Sequence, residues 1–142
     1  MKPAICIEML YCEFGLEEKM KAVSQAGFPY LEFWSWKDKE LPLLKALCQD
    51  YKIKVVNFSG HRQGSLIAGH THLKVLSDLK EAIIVAKELG CPYLMLLTDQ
   101  LGSEGTVENS YDELSSVEKY HNIISCLKKT IGLIPDSITL VL

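Results

Sequence analysis

The side chains able to do chemistry gather where apolar runs end. Glu8 closes one run, and Glu32, Trp34 and Trp36 lie in and after a second. Asn57, Ser59, His61 and Arg62 lie at the end of a third, and Thr98 and Asp99 follow a fourth. Arg62 is the single arginine beside 14 lysines. Next to Gly60 and His61, its guanidinium can hold a carboxylate or phosphate through two parallel hydrogen bonds. Trp34 and Trp36 can stack on the apolar edges of a small polar molecule. Glu32 sits inside an apolar segment, where an acid costs on the order of several kcal/mol unless it is paired or wet. Glu32, Trp34, Trp36, His61 and Arg62 are therefore the candidate substrate-binding residues. Each also has a plainer role available. Glu8 and Glu32 can be rim acids paired with lysines, the tryptophans can cap a core, and His61 and Arg62 can be ordinary loop residues.

Other chemistries are poorly served. His70 and His72 have metal-ligand chemistry, but residues two apart do not share a helix face, so no metal site is assigned. The five cysteines are odd in number and form no CxxC, so neither a disulfide framework nor a zinc knuckle is indicated. Cys6 and Cys48 lie in apolar settings and are expected to be small core residues. No cysteine has the His or Asp neighbours of an activated nucleophile. The stretch Gly102-Ser103-Glu104-Gly105 is too short and too acidic to cradle phosphate, and no P-loop follows any strand.

The elements that must position these residues alternate. Strand-like runs fall at 4–9, 29–34, 54–58, 92–97 and 137–142. Helical periodicity falls at 16–26, 39–50, 72–89 and from Ser110 or Ser115 to about 130. Leu73, Leu76, Leu79, Ile83, Ala86 and Leu89 make the third helix the strongest, and Gly27 and Gly90 stand just past helix ends. The order βαβαβαβαβ predicts parallel strands joined by right-handed crossovers. One segment recurs: Gly27-Phe28-Pro29-Tyr30-Leu31 matches Gly90-Cys91-Pro92-Tyr93-Leu94. It reads as one structural turn used twice. Links into strands are short, while those leaving strands three and four are polar and about eleven residues long. In parallel α/β folds the site is built from such exit loops.

Composition narrows the classes further. Of the 142 residues, 48% are hydrophobic and 23% charged, and the formal net charge is −3. Lysines spread over helix faces beside acids read as a solvated surface and argue against a nucleic-acid groove. No apolar run approaches the roughly 20 residues that span a bilayer. The segment after Met1 and Lys2 lacks the pattern of a signal peptide. The protein is expected to be soluble and cytoplasmic, with a small-molecule substrate and neither nucleic acid nor membrane as partner.

The segments ICIEMLY (5–11), AGFPYLEFWSWKDKEL (26–41), FSGHRQGSL (58–66) and AKELGCPYLMLLT (86–98) resemble the hydroxypyruvate isomerase family. That family lies within the xylose-isomerase-like barrel superfamily, which also holds sugar epimerases and endonuclease IV. The resemblance implies a (βα)8 TIM barrel that interconverts aldose-like and ketose-like forms of a hydroxy-oxo acid or sugar through an enediolate. It implies a divalent metal, with ligands and acid–base glutamates drawn from strands five to eight. A barrel of this kind needs about 250 residues. The chain is thus expected to be one partial barrel domain, residues 1–142, ending in strand five, with the metal ligands beyond Leu142. Alone it is expected to bind no metal, to be inactive, and to self-associate through open strand edges. Two rivals remain: a flavodoxin-like five-stranded binding or signalling domain, with strand order 2-1-3-4-5, and an endonuclease IV-like barrel, which would need a basic face.

Overall fold

The computed structural model of the protein describes residues 3–102, 106, 107 and 109–142. Ser103–Gly105, within the stretch rejected as a phosphate cradle, lie outside the described residues, as do Met1 and Lys2. Strands β1 (Ile5–Cys6), β2 (Tyr30–Phe33), β3 (Lys54–Ser59), β4 (Tyr93–Met95) and β5 (Thr139–Val141) form one sheet. Helices α1 (Leu16–Gln25), α2 (Leu41–Asp50), α3 (His72–Leu89) and α4 (Ser116–Ile131) connect them. Every pairing is parallel and the order is β1-β2-β3-β4-β5. This is a partial TIM barrel. The sequential order overturns the flavodoxin-like rival, which places β1 between β2 and β3.

The sheet has two unlike faces. Ile5, Leu31, Phe33, Val55, Phe58 and Leu94 are buried in one cluster with Met20 and Val23 of α1, Leu44 of α2 and Leu79, Ala82 and Ala86 of α3. Phe33 and Phe58 stack with ring centres 4.9 Å apart. The other face carries a polar row: Cys6, Glu32, Asn57, Tyr93 and Thr139 are register partners across all five strands. None of them is fully buried. Successive side chains of a strand point to opposite faces, and the register shift between Leu31 and Glu32, which leaves Val56 as an extra residue in β3, puts Val55 and Phe58 on the apolar face and Asn57 on the polar one.

The recurring turn recurs in space. Gly27 and Gly90 both take a left-handed conformation, φ +78° and +65°, which glycine adopts without strain. Phe28 N–H bonds to Val23 O, and Cys91 N–H bonds to Ala86 O at the matching position. The two proline carbonyls then receive the next strand: Lys54 N–H donates to Pro29 O and Thr139 N–H to Pro92 O. Each turn ends a helix and sets the register of a neighbouring strand.

Several boundaries differ from the expectation, for local reasons. β1 has two residues because Met9 and Leu10 both donate back to Cys6 O, which curls the chain out of the sheet. α2 begins at Leu41, with Pro42 in its first turn, so Lys39 belongs to the preceding loop. Ser115, not Ser110, caps α4: its Oγ accepts from Glu118 N–H while the Glu118 carboxylate accepts from Ser115 N–H. Cys91 and Cys126 are the fully buried cysteines, while Cys6 and Cys48 are half-buried. Burial pushes the Cys48 and Cys91 thiols up to about 11, so both stay protonated. No helix among the described residues is long and apolar enough to cross a membrane.

Candidate ligand-binding site

The strands end on one side of the sheet, and there β2, β3 and β4 hand over to their exit loops. Trp34, Ser59, Arg62, Met95, Leu97, Leu101 and Gly102 line a cavity on that side. Trp34 is one residue past β2, Ser59 ends β3 and Met95 ends β4. Ser59 N–H donates to Trp34 O, and Gly60 N–H donates to Met95 O at 2.7 Å. Backbone pairing thus continues past the strand ends and fixes the cavity floor.

Three features give the cavity chemistry. Trp34 stays 38% exposed and offers an indole wall. Ser59 is 1% exposed, and its Oγ has no hydrogen-bond partner among the described residues. Such a buried hydroxyl costs roughly 1–3 kcal/mol until something binds it. Arg62 joins no ion pair among the described residues, whose pairs all use Lys37 or Lys39. A cavity lined both by an arginine outside those ion pairs and by an unsatisfied hydroxyl suits a small anionic group that also accepts or donates a hydrogen bond.

The five residues selected from the sequence separate into groups. Trp34 and Arg62 share the cavity. Glu32 lies in the polar row, where its Oε2 accepts from Asn57 Nδ2 at 3.3 Å. Trp36 is outside the lining: it is 5% exposed and packs at a tilt on Phe58. His61 is fully buried, also outside the lining, and bridges two exit loops. Its Nδ1 lies 3.3 Å from Gln63 O and its Nε2 lies 2.9 Å from Leu97 O and 3.3 Å from Leu97 N. Burial holds His61 below its ordinary value against the pull of those carbonyls, which favours the neutral ring with one N–H to give. In either tautomer it ties the β3 exit to the β4 exit.

Two carboxylates outside that selection, each paired with a lysine, hold the site's backbone. Glu8 Oε2 accepts from Trp34 N–H at 3.2 Å, and its Oε1 lies 2.6 Å from Lys39 Nζ. Asp78 Oδ2 accepts from Arg62 N–H at 2.7 Å and Gln63 N–H at 2.9 Å, while its Oδ1 pairs with Lys37 Nζ at 2.5 Å. Burial would lower Lys39, but the Glu8 and Asp38 carboxylates outweigh it and hold the ammonium above its ordinary value. Asp78 did leave a trace in the sequence. It shares the buried stripe of α3 with Val75, Leu79 and Ala82, an acid where the helical period calls for an apolar residue.

His72 is buried and its Nε2 contacts Leu66 O at 3.0 Å, a structural bond at the start of α3. Among the described residues no three His, Cys, Asp or Glu side chains converge as a metal site requires. The residues described here do not fit the divalent metal that the resemblance implies.

Known proteins resemble the chain over its whole fold. An AP endonuclease of family 2 from Brucella melitensis superposes with TM-score 0.81 at 16% identity, over 98% of this chain and 53% of its own. A D-psicose 3-epimerase with D-tagatose from Clostridium cellulolyticum gives TM-score 0.74 at 10% identity, over 99% and 51%. The probable 3-DHS dehydratase AsbF from Bacillus anthracis gives 0.64 at 14%, over 100% and 52%. The chain spans about half the length of these structures, and at such identities the likeness shows the fold alone. No curated protein matches it in sequence. The family described as xylose isomerase-like TIM barrel matches residues 20–142. With sequential parallel strands, a match over most of its length and a cavity at the strand ends, this chain belongs to the xylose isomerase-like TIM barrel family.

Proposed function

We propose that the chain forms the substrate-side part of an isomerase-type barrel, as one partial barrel domain. Its substrate would be a small hydroxy-oxo acid, as in hydroxypyruvate isomerase, or a related sugar. The observation that carries this reading is Arg62, free of any ion pair among the described residues, facing the same cavity as Trp34 and the unsatisfied Ser59 hydroxyl. In this reading Arg62 holds the substrate carboxylate, Ser59 bonds a neighbouring hydroxyl or oxo group, and the Trp34 ring covers the carbon chain. Glu32 and Asn57 form the polar floor one pleat below. Trp36 and His61 act from beneath, anchoring the loops that carry Trp34 and Arg62. The chemistry supplied by a divalent metal, polarising the carbonyl for proton transfer between adjacent carbons, is assigned to ligands from other parts of a full barrel. An endonuclease reading is less well served, because a net charge of −3 and a single arginine offer little for phosphates.

The test is a titration of the full chain with hydroxypyruvate and glyoxylate, followed by NMR or by Trp34 fluorescence. Wild type should bind both, and R62M should weaken binding by roughly ten- to a hundredfold, the worth of a charged hydrogen bond, with the fold intact. Equal affinities for wild type and R62M would overturn the assignment. Tight, salt-sensitive binding of abasic DNA would favour the endonuclease instead.

A further inference from the structure

Trp34 and Arg62 reach the cavity from different loops, yet the anions that hold their backbones are tied to one short segment. Glu8, just past β1, accepts Trp34 N–H, and Asp78, on α3, accepts the N–H groups of Arg62 and Gln63. Each carboxylate has a lysine partner, and the two lysines stand two residues apart: Lys37 on Asp78 and Lys39 on Glu8. The segment between them is itself fixed. Trp36 anchors it in the core, and Lys39 N–H donates to Trp36 O. Lys37 N–H donates to Ser35 Oγ. The ammonium of Lys37 lies 5.5 Å from the Trp36 ring centre, and that of Lys39 lies 5.5 Å from the Phe33 ring centre.

We propose that Lys37–Lys39 is a two-armed staple, and that Glu8 and Asp78 are positioning residues which it couples, so that the Trp34 and Arg62 sides of the cavity are set relative to each other. Three features support a coupled device over two separate surface pairs. Both carboxylates are mostly buried, with side chains 16% and 6% exposed. Each uses one oxygen for a lysine and the other for site backbone, so loss of the lysine leaves a buried anion holding the loop alone. The core anchor Trp36 lies immediately before the segment, so a pull on one arm is carried to the other and not lost in loop motion. The ligand consequence is a fixed reach between the indole wall and the guanidinium, hence selection by ligand length. That consequence rests on the cavity reading above, while the coupling itself does not.

Amide hydrogen exchange in the full chain tests the coupling without any ligand. In K37M the Trp34 amide, which touches neither Lys37 nor Asp78, should exchange at least tenfold faster than in wild type. In K39M the Arg62 and Gln63 amides should do the same. D78N and E8Q should repeat the two results; the methionine variants keep the side-chain stem and serve if the carboxylate variants fail to fold. Exchange that rises only at each variant's own side of the site would overturn the staple. The second readout is affinity for glyoxylate against a four-carbon oxo acid such as oxaloacetate. K37M and K39M should narrow the preference between the two at least threefold, and an unchanged ratio would overturn the selection by length. If wild type binds neither acid, the cavity reading fails while the exchange result still decides the staple.

Discussion

The two ends of this sheet are built by different rules. At the end where strands begin, one turn serves twice: Gly27 and Gly90 with the same sign of φ, the same bond back into the helix, the same proline carbonyl receiving the next strand. At the end where strands finish, no such turn recurs among the described residues. The β2 exit is held by Glu8 and two lysines, the β3 exit by Asp78 and His61, and the β4 exit by an antiparallel bridge between Leu101 and Val107. Backbone hydrogen bonds suffice where the chain only has to enter the sheet. Buried charge and imidazole are used where side chains must be held at set positions around a cavity. The contrast falls at the end of the sheet that carries the candidate cavity, independently of the likeness to known proteins.

Glycine replacement sets the two ends against each other most sharply. Gly64, in the β3 exit loop, has φ +81°, and a Cβ there would meet Thr71 O at 2.9 Å and Val75 Cγ2 at 3.0 Å. Backbone and helix cannot both move aside, so G64A should cost roughly 2–5 kcal/mol, from left-handed strain and overpacking together. Chemical denaturation reads this directly. A loss below that of G27A would erase the distinction between the tight exit and the open turn.

The repeated turn should give the milder and more uniform answer. Gly27 and Gly90 also have positive φ, but a Cβ at either meets nothing within 4 Å. G27A and G90A should each cost about 1 kcal/mol, the left-handed penalty offset by a stiffer unfolded chain. Their equality is the informative part. A difference of more than about 1 kcal/mol between them would mean that the two copies carry different loads, although their backbone bonds match.

Much of this was legible in the sequence, for reasons visible in particular residues. The order of elements, the doubled turn and the α3 span 72–89 follow from periodicity and glycine placement, which are local properties. The short β1 was not legible, because the curl after Cys6 depends on two backbone donors that no pattern marks. At the site, Trp34 and Arg62 could be picked out as rare side chains in exit loops, but the assignment of Trp36 to the core needed Phe58 in place beneath it. Lys37, Lys39 and Asp78 escaped because ion pairs join residues far apart in sequence: Lys37 and Asp78 are 41 positions apart. Only the acid on the apolar stripe of α3 hinted at a partner.

His61 gives the smallest effect and a sharp sign. Its folded value is lowered by burial from 6.5, so the unfolded chain binds its proton more readily than the folded one. The stability it contributes is fully present above about pH 6.5 and is lost as pH falls from there through its folded value. If the folded ring stayed wholly neutral, the loss between pH 7 and pH 6 would reach at most about 0.7 kcal/mol. H61Q keeps a polar group between Gln63 O and Leu97 O but cannot titrate, so its melting temperature should fall less over that interval than that of wild type. Parallel pH profiles for the two proteins would show that the bridge between the β3 and β4 exits does not depend on a neutral imidazole. Among titratable side chains, the contrast with the backbone-built turns would then rest on Glu8 and Asp78.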